Sequence, residues 1–314
     1  MAVSNSLVQS RGGKPKTFSA FLTSDAIKHK INEMVGGRDG QRFITSIISA
    51  VSTNPALAEC EHSTILSAAM LGESLKLSPS PQLGQYYMVP FKDKKRSCKV
   101  AQFQLGYKGY IQLAIRSGYY KKLNVLAIKQ GELIRFDPLE EEIEVNLVEN
   151  DTEREALPTI GYYAMFEYQN GFKKAMYWSR EKMMAHADKF SMAFSAKAYE
   201  KLQAGEIPEK DLWKYSSFWY KDFDGMAYKT MLRQLISKWG IMSIDLQKAM
   251  DGDMGAINED GSVDYVDNYA ADETPAPAEE PAPVVVDEST GEIIEEAPAP
   301  VGDDPTADFF NQEG

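Results

Sequence analysis

The chain has 314 residues, 43% of them apolar, with 34 basic and 46 acidic side chains and a formal net charge of −12. That length and apolar share fit one large domain or two modest ones with a sizeable core. No run of eighteen apolar residues is present and Met1 to Ser6 lead into polar residues rather than an apolar signal core, which excludes a membrane-spanning helix, argues against a secretory leader and leaves a cytoplasmic location as the expectation.

The averaged charge conceals two regions. Residues 251–314 hold 19 acidic side chains and no Lys or Arg, so residues 1–250 carry +7. A basic body with an acidic tail points toward polyanionic partners. Cys60 and Cys98 are far apart and His29, His62 and His186 are scattered. This is not the short ligand spacing of a metal site, and no metal or other cofactor is expected.

In chain order, residues 1–17 read as a flexible lead-in. The glycines of 36–40 lack the spacing of a phosphate-cradling loop and read as a turn. Phe43, Ile44, Ile47, Ile48 and Val51 have helical spacing up to Asn54-Pro55. Ser63 is placed to cap a second helix whose buried stripe is Ile65, Leu66, Ala69, Met70 and Leu77, stopped by Ser78-Pro-Ser-Pro81. The period then changes to two. Residues 85–91 and 98–105 predict a hairpin, with Pro90 putting its first strand at a sheet edge. Gly106 opens a short helix, about 107–117, ended by Gly118; further strands are expected near 122–136, 143–148, 159–168 and 172–178. Ser179 opens a mainly helical second half that closes on a strong helix around 218–239. The expected class is α+β: a helical N-terminal part, a β-hairpin–helix centre with antiparallel sheet, and a helical second half over 18–250. The Pro-, Ala- and Glu-rich residues 251–314 read as a disordered acidic tail, interrupted by Val284-Val-Val286 and Phe309-Phe310.

No catalytic constellation stands out. The run Glu140, Glu141, Glu142 and Glu144 lacks a partnering Lys or His nearby in sequence and reads as a solvated face, and His186 reads as structural. The informative region is 86–129. From Lys92 to Lys129 there are ten basic residues and a single acid, Asp93, interleaved or flanked with Tyr86, Tyr87, Phe91, Phe103, Tyr107, Tyr110, Tyr119 and Tyr120. Cations meet phosphates and flat rings meet unpaired bases, so this mixture suits sequence-independent binding of single strands. For each aromatic taken alone, a place in the core competes with that role. On the short helix, Lys108, Gln112 and Arg116 share one stripe, while Tyr107, Ile111, Ala114 and Ile115 point toward a core. On the late helix, Phe223, Ala227, Met231, Leu235 and Trp239 form a row expected to be buried, with Lys229 and Arg233 one turn apart and Lys221 two turns before Lys229. Two such cationic stripes form opposite walls of one groove in this reading. The span 137–155, nine acids against Arg154 alone, is either a solvated hairpin tip or a contact with the basic surface of a neighbouring subunit, which would build rings or filaments.

Leu77-Ser-Pro79, Leu83-Gly-Gln-Tyr-Tyr-Met-Val-Pro-Phe91, Phe103-Gln-Leu-Gly-Tyr-Lys-Gly-Tyr-Ile-Gln-Leu-Ala-Ile-Arg-Ser-Gly-Tyr119 and Met226-Ala-Tyr-Lys-Thr-Met-Leu-Arg-Gln-Leu-Ile236 resemble, in order and spacing, the RecT family of phage-type single-strand annealing proteins. The resemblance covers about 20–245 and leaves the tail outside. It implies a non-enzymatic, ATP-independent protein of homologous recombination that coats single-stranded DNA, anneals complementary strands into duplex, forms a homo-oligomeric ring or filament and works with a partner exonuclease. Carried over by position, the matched polar residues are Gln104, Lys108, Arg116, Lys229 and Arg233. Of these, Lys108, Arg116, Lys229 and Arg233 are assigned here to phosphates, with Tyr107 or Tyr120 near a base and Gln112, Lys121, Lys122 and Lys221 on the same surface. The tail either folds back as a polyanion mimic, recruits a nuclease or host single-strand-binding protein, or is inert. The residues alone also leave open an oligomeric phage scaffold protein and, behind it, a metal-dependent nuclease.

Overall fold

The structure, a computed structural model, describes residues 17–93, 95–258 and 260–265. Helices lead: α1 (Phe18–Leu22), α2 (Asp25–Val35), α3 (Gly37–Thr53) and α4 (His62–Ser74). As their spacing predicts, α3 buries Phe43, Ile44, Ile47 and Val51, and α4 buries Ile65, Leu66, Ala69 and Met70. Two local expectations change. The glycine patch is a kink followed by a helix start rather than a turn, because Gly36 at φ +88° separates α2 from α3. Ser63 is not the cap of α4; the helix begins at His62, and the Thr64 hydroxyl donates to the Glu61 carbonyl at 2.7 Å.

β1 (Tyr86–Asp93) and β2 (Cys98–Leu105) form the expected hairpin, with Tyr86 opposite Leu105 and Asp93 opposite Cys98. The buried Asp93 carboxylate closes its turn by accepting the N–H groups of Lys95 and Arg96. β1 is an outer strand, as Pro90 requires, since a residue without an N–H cannot serve a central ladder. α5 (Tyr107–Arg116) follows and buries Gly109, Tyr110, Leu113 and Ala114.

The single strand expected over 122–136 is two, β3 (Tyr120–Lys129) and β4 (Leu133–Asp137), parted by the turn Gln130-Gly131-Glu132. β4 pairs only with β5 (Glu142–Val145), and α6 (Asp151–Ala156) leads to β6 (Thr159–Tyr168) and β7 (Lys173–Ser179). A three-stranded antiparallel sheet runs β3-β6-β7. Ser179 caps α7 (Arg180–Phe190) by accepting the Lys182 N–H, and α8 (Ala196–Gln203) follows. The strong helix expected around 218–239 is broken at Asp222 into α9 (Phe218–Lys221) and α10 (Phe223–Trp239), because the Asp222 carboxylate accepts the Gly225 N–H and starts the second helix afresh. α10 packs on the β3-β6-β7 sheet with Phe223, Ala227, Met231 and Leu235 buried. The last residue of that row, Trp239, is 52% exposed, its ring under the Lys174 ammonium. Ile115, expected inside, is also exposed.

The largest correction concerns the boundary at 250. α11 (Ile244–Gly252), β8 (Gly255–Ile257) and β9 (Val263–Asp264) continue the fold, and β8 joins β2 to complete a sheet of order β1-β2-β8-β9. Leu246, Ala249, Ala256 and Ile257 are buried, and so is Asp253. These short apolar pieces are diluted by acidic neighbours in any compositional window, so composition alone starts the tail too early. The remaining tail, 266–314, and its proposed roles lie outside the described residues, as does nearly all of the lead-in. With helices packed on antiparallel sheets the class is α+β, and among the described residues no helix is long and apolar enough to cross a membrane.

Candidate nucleic-acid interface

Backbone packing fixes the central geometry. The Gly106 N–H donates to the Gln85 carbonyl at 2.8 Å, and a Cβ on Gly106 would collide with the Gly84 carbonyl oxygen. The start of α5 therefore lies flat on the 83–85 segment, which only glycine permits. Across from it, α10 packs on α5. Between them is a recess lined by Tyr87, Gln104, Gly106 and Tyr107 on one side and Phe218, Asp222, Gly225, Met226 and Lys229 on the other. Of the two cationic stripes expected as walls, Lys229 alone is among the residues that line it. Tyr87 packs on Phe218 at 5.2 Å between ring centroids, and Tyr107 meets Tyr228 edge-on at 5.5 Å.

Lys108, Gln112 and Arg116 are all exposed and form one outward stripe of α5, opposite its buried Tyr110, Leu113 and Ala114. Lys108 sits at the recess rim, its stem beside Gly84 and its ammonium 5.9 Å from the Tyr107 ring. Lys221 is exposed on α9, next to the lining residue Asp222. Neither Lys108 nor Lys221 is held in an ion pair among the described residues. Arg116 has structural work: its guanidinium donates to the Leu75 carbonyl at 2.5 Å and the Lys76 carbonyl at 3.5 Å, closing the end of α4.

Lys229 and Arg233 are placed differently from the expectation. Lys229 is 6% exposed and donates to Asp253 at 2.9 Å; Arg233 donates to the other carboxylate oxygen at 2.8 Å. Asp253 also accepts the Leu105 N–H at 2.9 Å. Burial holds the Lys229 ammonium below the ordinary lysine value despite the pull of Asp253. The two cations thus share one carboxylate inside the protein, from a residue that composition assigns to the tail. Lys229 lines the recess floor rather than its rim.

Tyr120, Lys121 and Lys122 are brought together elsewhere, in a second, shallower recess with Ile115, Leu123, Asn124 and Met165. The Tyr120 ring is buried against Phe166 and Tyr168, which removes it as a free stacking surface. Lys121 and Lys122 both pair with Glu167, at 2.6 and 3.5 Å. Much of the dense positive charge of 92–129 is similarly engaged: Arg96 by Glu61, Asp93 and Asp264, and Lys99 by Glu59. Sequence reasoning missed Phe218 as a lining residue; its signal was the break that Asp222 introduces, which turns Phe218 back toward Tyr87.

The remaining candidates have structural surroundings. His186 packs between Trp178 and Phe190. The His62 ring lies on Phe18 and Phe21, while burial pushes the Cys60 thiol up to about 11. Among the described residues no three His, Cys, Asp or Glu side chains are grouped to hold a metal ion.

The model of the RecT family matches residues 41–282. The chain belongs to the RecT family. It is 36% identical over 260 residues to the uncharacterized protein YqaK of Bacillus subtilis (strain 168), covering 83% of this chain and 77% of that one. It is 26% identical over 215 residues to Protein RecT of Escherichia coli (strain K12), covering 68% and 71% respectively. This RecT-family match extends beyond the quoted blocks to take in Asp253, β8 and β9, in keeping with a folded unit that runs past 250. Membership places the chain with proteins of single-strand annealing recombination as a class.

Proposed function

We propose that this RecT-family chain binds single-stranded DNA along the α5 stripe and the adjoining recess, and anneals complementary strands without ATP. One observation carries the reading: exposed Lys108, Gln112 and Arg116 form an outward stripe of α5, whose first residue, Tyr107, lines a recess with Tyr87, Gln104 and Phe218. Lys108 and Lys221 meet phosphates, Tyr107 or Tyr87 meets a base edge or face, and Lys229 with Arg233 holds the recess floor from beneath. Asp222, on the same wall, keeps the strand toward the α5 side by repulsion.

The physical sequence needs no fuel. Two single strands repel as polyanions; surface cations displace counterions and remove much of that repulsion. Gripped by its backbone, a strand keeps its pairing edges free to sample an incoming one, and base pairing supplies both selectivity and driving force. The proposal extends to a homo-oligomeric ring or filament on the DNA, a partner exonuclease that exposes the strand, a host single-strand-binding protein as a further partner, and a phage or prophage setting in the bacterial cytoplasm.

Mixing labelled complementary strands with the full chain, without ATP, tests the reading on a gel. Annealing is expected. Strand shortening with a divalent metal would turn the assignment to a nuclease, and neither effect would turn it to a scaffold.

A further inference from the structure

Past the end of α5 lies a cationic pair that the strand path described above stops short of. Lys121 and Lys122 are neighbours in sequence, and in a regular strand they would point to opposite faces. In β3 they do not. The register slips between Tyr120, opposite Tyr168, and Lys122, opposite Glu167, which makes Lys121 the extra residue of a β-bulge. Both ammonium groups therefore reach one carboxylate, that of Glu167, at 2.6 and 3.5 Å. The lysines are exposed, while Glu167 is mostly covered. Its hydrogen bond from Lys121 holds the carboxyl below the ordinary carboxylate range, so it is ionised at neutral pH.

The pair stands where the α5 stripe leads. Tyr107, at the start of α5, lines the first recess; Ile115, near its end, lines the second with Lys121, Lys122 and Asn124. The helix rises about 12 Å between these two residues. At the B-form spacing of about 3.4 Å, three or four phosphates of one strand cover that distance. Exposed Arg116 ends the stripe beside Ile115, and the ring of Tyr119, 48% exposed, follows it in the chain before the lysines. Among the described residues, Glu167 is the one carboxylate that forms an ion pair with either lysine.

We propose that Glu167 is a stand-in for DNA phosphate: it holds Lys121 and Lys122 in reserve, and the backbone of a single strand running along α5 displaces it. This rests on the DNA reading above and extends that strand path by one further site. The exchange is easy on physical grounds. An exposed ion pair contributes little net stability, so parting it costs little. One carboxylate shared by two ammonium groups gives way to a phosphate for each, and the counterions of those phosphates are released. The exposed Tyr119 ring then offers a base a stacking face. By competing with phosphate, the carboxylate loosens the grip at this end, so a strand is held firmly at Lys108 and lightly past Arg116.

Anisotropy titrations of the full chain against a dye-labelled oligothymidylate, which cannot pair with itself, test it. Glu167→Gln keeps the side chain's shape and removes the competing charge; it is expected to tighten strand binding about threefold or more. A gain of affinity cannot come from a damaged fold. Adding Lys121→Gln and Lys122→Gln should abolish that gain. In the parent background the same two changes should shrink the slope of log affinity against log salt by about 1.4, or about 0.7 for each phosphate. Glu167→Gln protein that binds no tighter overturns the inference, as does a gain that survives loss of both lysines, or an unchanged slope in the double lysine variant. A gain seen with annealed duplex and not with the single strand overturns it too, by assigning the site to the second strand. If the parent itself binds no single strand, the DNA reading fails and takes this inference with it.

Discussion

Lys108 and Lys229 belong to matched blocks, Lys229 lining the recess and Lys108 beside its lining residue Tyr107, yet their surroundings give them opposite duties. Lys108 is exposed, with no carboxylate on it among the described residues, whereas Lys229 is enclosed and bound to Asp253. Removing Lys108 and Lys221 together should leave thermal stability nearly unchanged and lower affinity for single strands. The slope of log affinity against log salt should shrink by about 0.7 for each phosphate left without its cation; an unchanged slope in a binding titration would remove both lysines from the interface. Asp253→Asn should act the other way. It leaves Lys229 and Arg233 facing an amide, and breaking such a buried pair costs about 3–5 kcal/mol, readable as a lowered denaturation midpoint. The α5 stripe was legible because helical spacing alone decides it. The burial of Lys229 was not, because it depends on an acid 24 residues further on that looked like one of many in a polar run.

At the scale of elements, hairpin β1–β2 and the cap of α7 were readable, since turn and cap chemistry are local; α4, expected to run to Ser78-Pro-Ser-Pro81, ends earlier, at Ser74, with Lys76 at φ +53°. The division of 122–136 was not, because its cause is a buried ion pair between distant elements. Glu132, in the turn between β3 and β4, is fully buried and accepts from Arg154 of α6 at 2.6 Å and from the N–H groups of Lys129 and Val148. Burial alone would raise its pKa; Arg154 and the two N–H groups outweigh that and hold it below the ordinary value of 4.5. A lowered folded-state pKa contributes stability that is complete above the ordinary value and drains away as pH falls through the depressed one. Glu132→Gln should therefore lower stability at neutral pH and flatten the acid side of a stability-against-pH curve. Gly106→Ala tests the other junction: its Cβ would meet the Gly84 carbonyl, so α5 must lift from the 83–85 segment. A fall in both stability and strand binding is expected, measured by thermal melt and by titration.

For the molecule as a whole, the split into basic body and acidic tail needs redrawing. Residues 17–265 hold 31 basic and 32 acidic side chains, so the folded part is almost neutral and attraction for a polyanion comes from a local surface rather than from net charge. Truncation after 265 should keep the melting temperature of the full chain. Truncation after 250 removes β8, β9 and Asp253 together and should cost several kcal/mol, visible as a large drop in melting temperature; equal melts for the two would mean the last strands are not part of the cooperative unit. The α+β class was legible from the change of period along the chain, but the closing strands are too short and too diluted for pattern or composition to find. Asp253 also imposes an order of events during synthesis. While the ribosome is still making α11, the nascent chain carries Lys229 and Arg233 with no carboxylate to receive them, so the interior between α10 and β2 stays open until residue 253 has emerged.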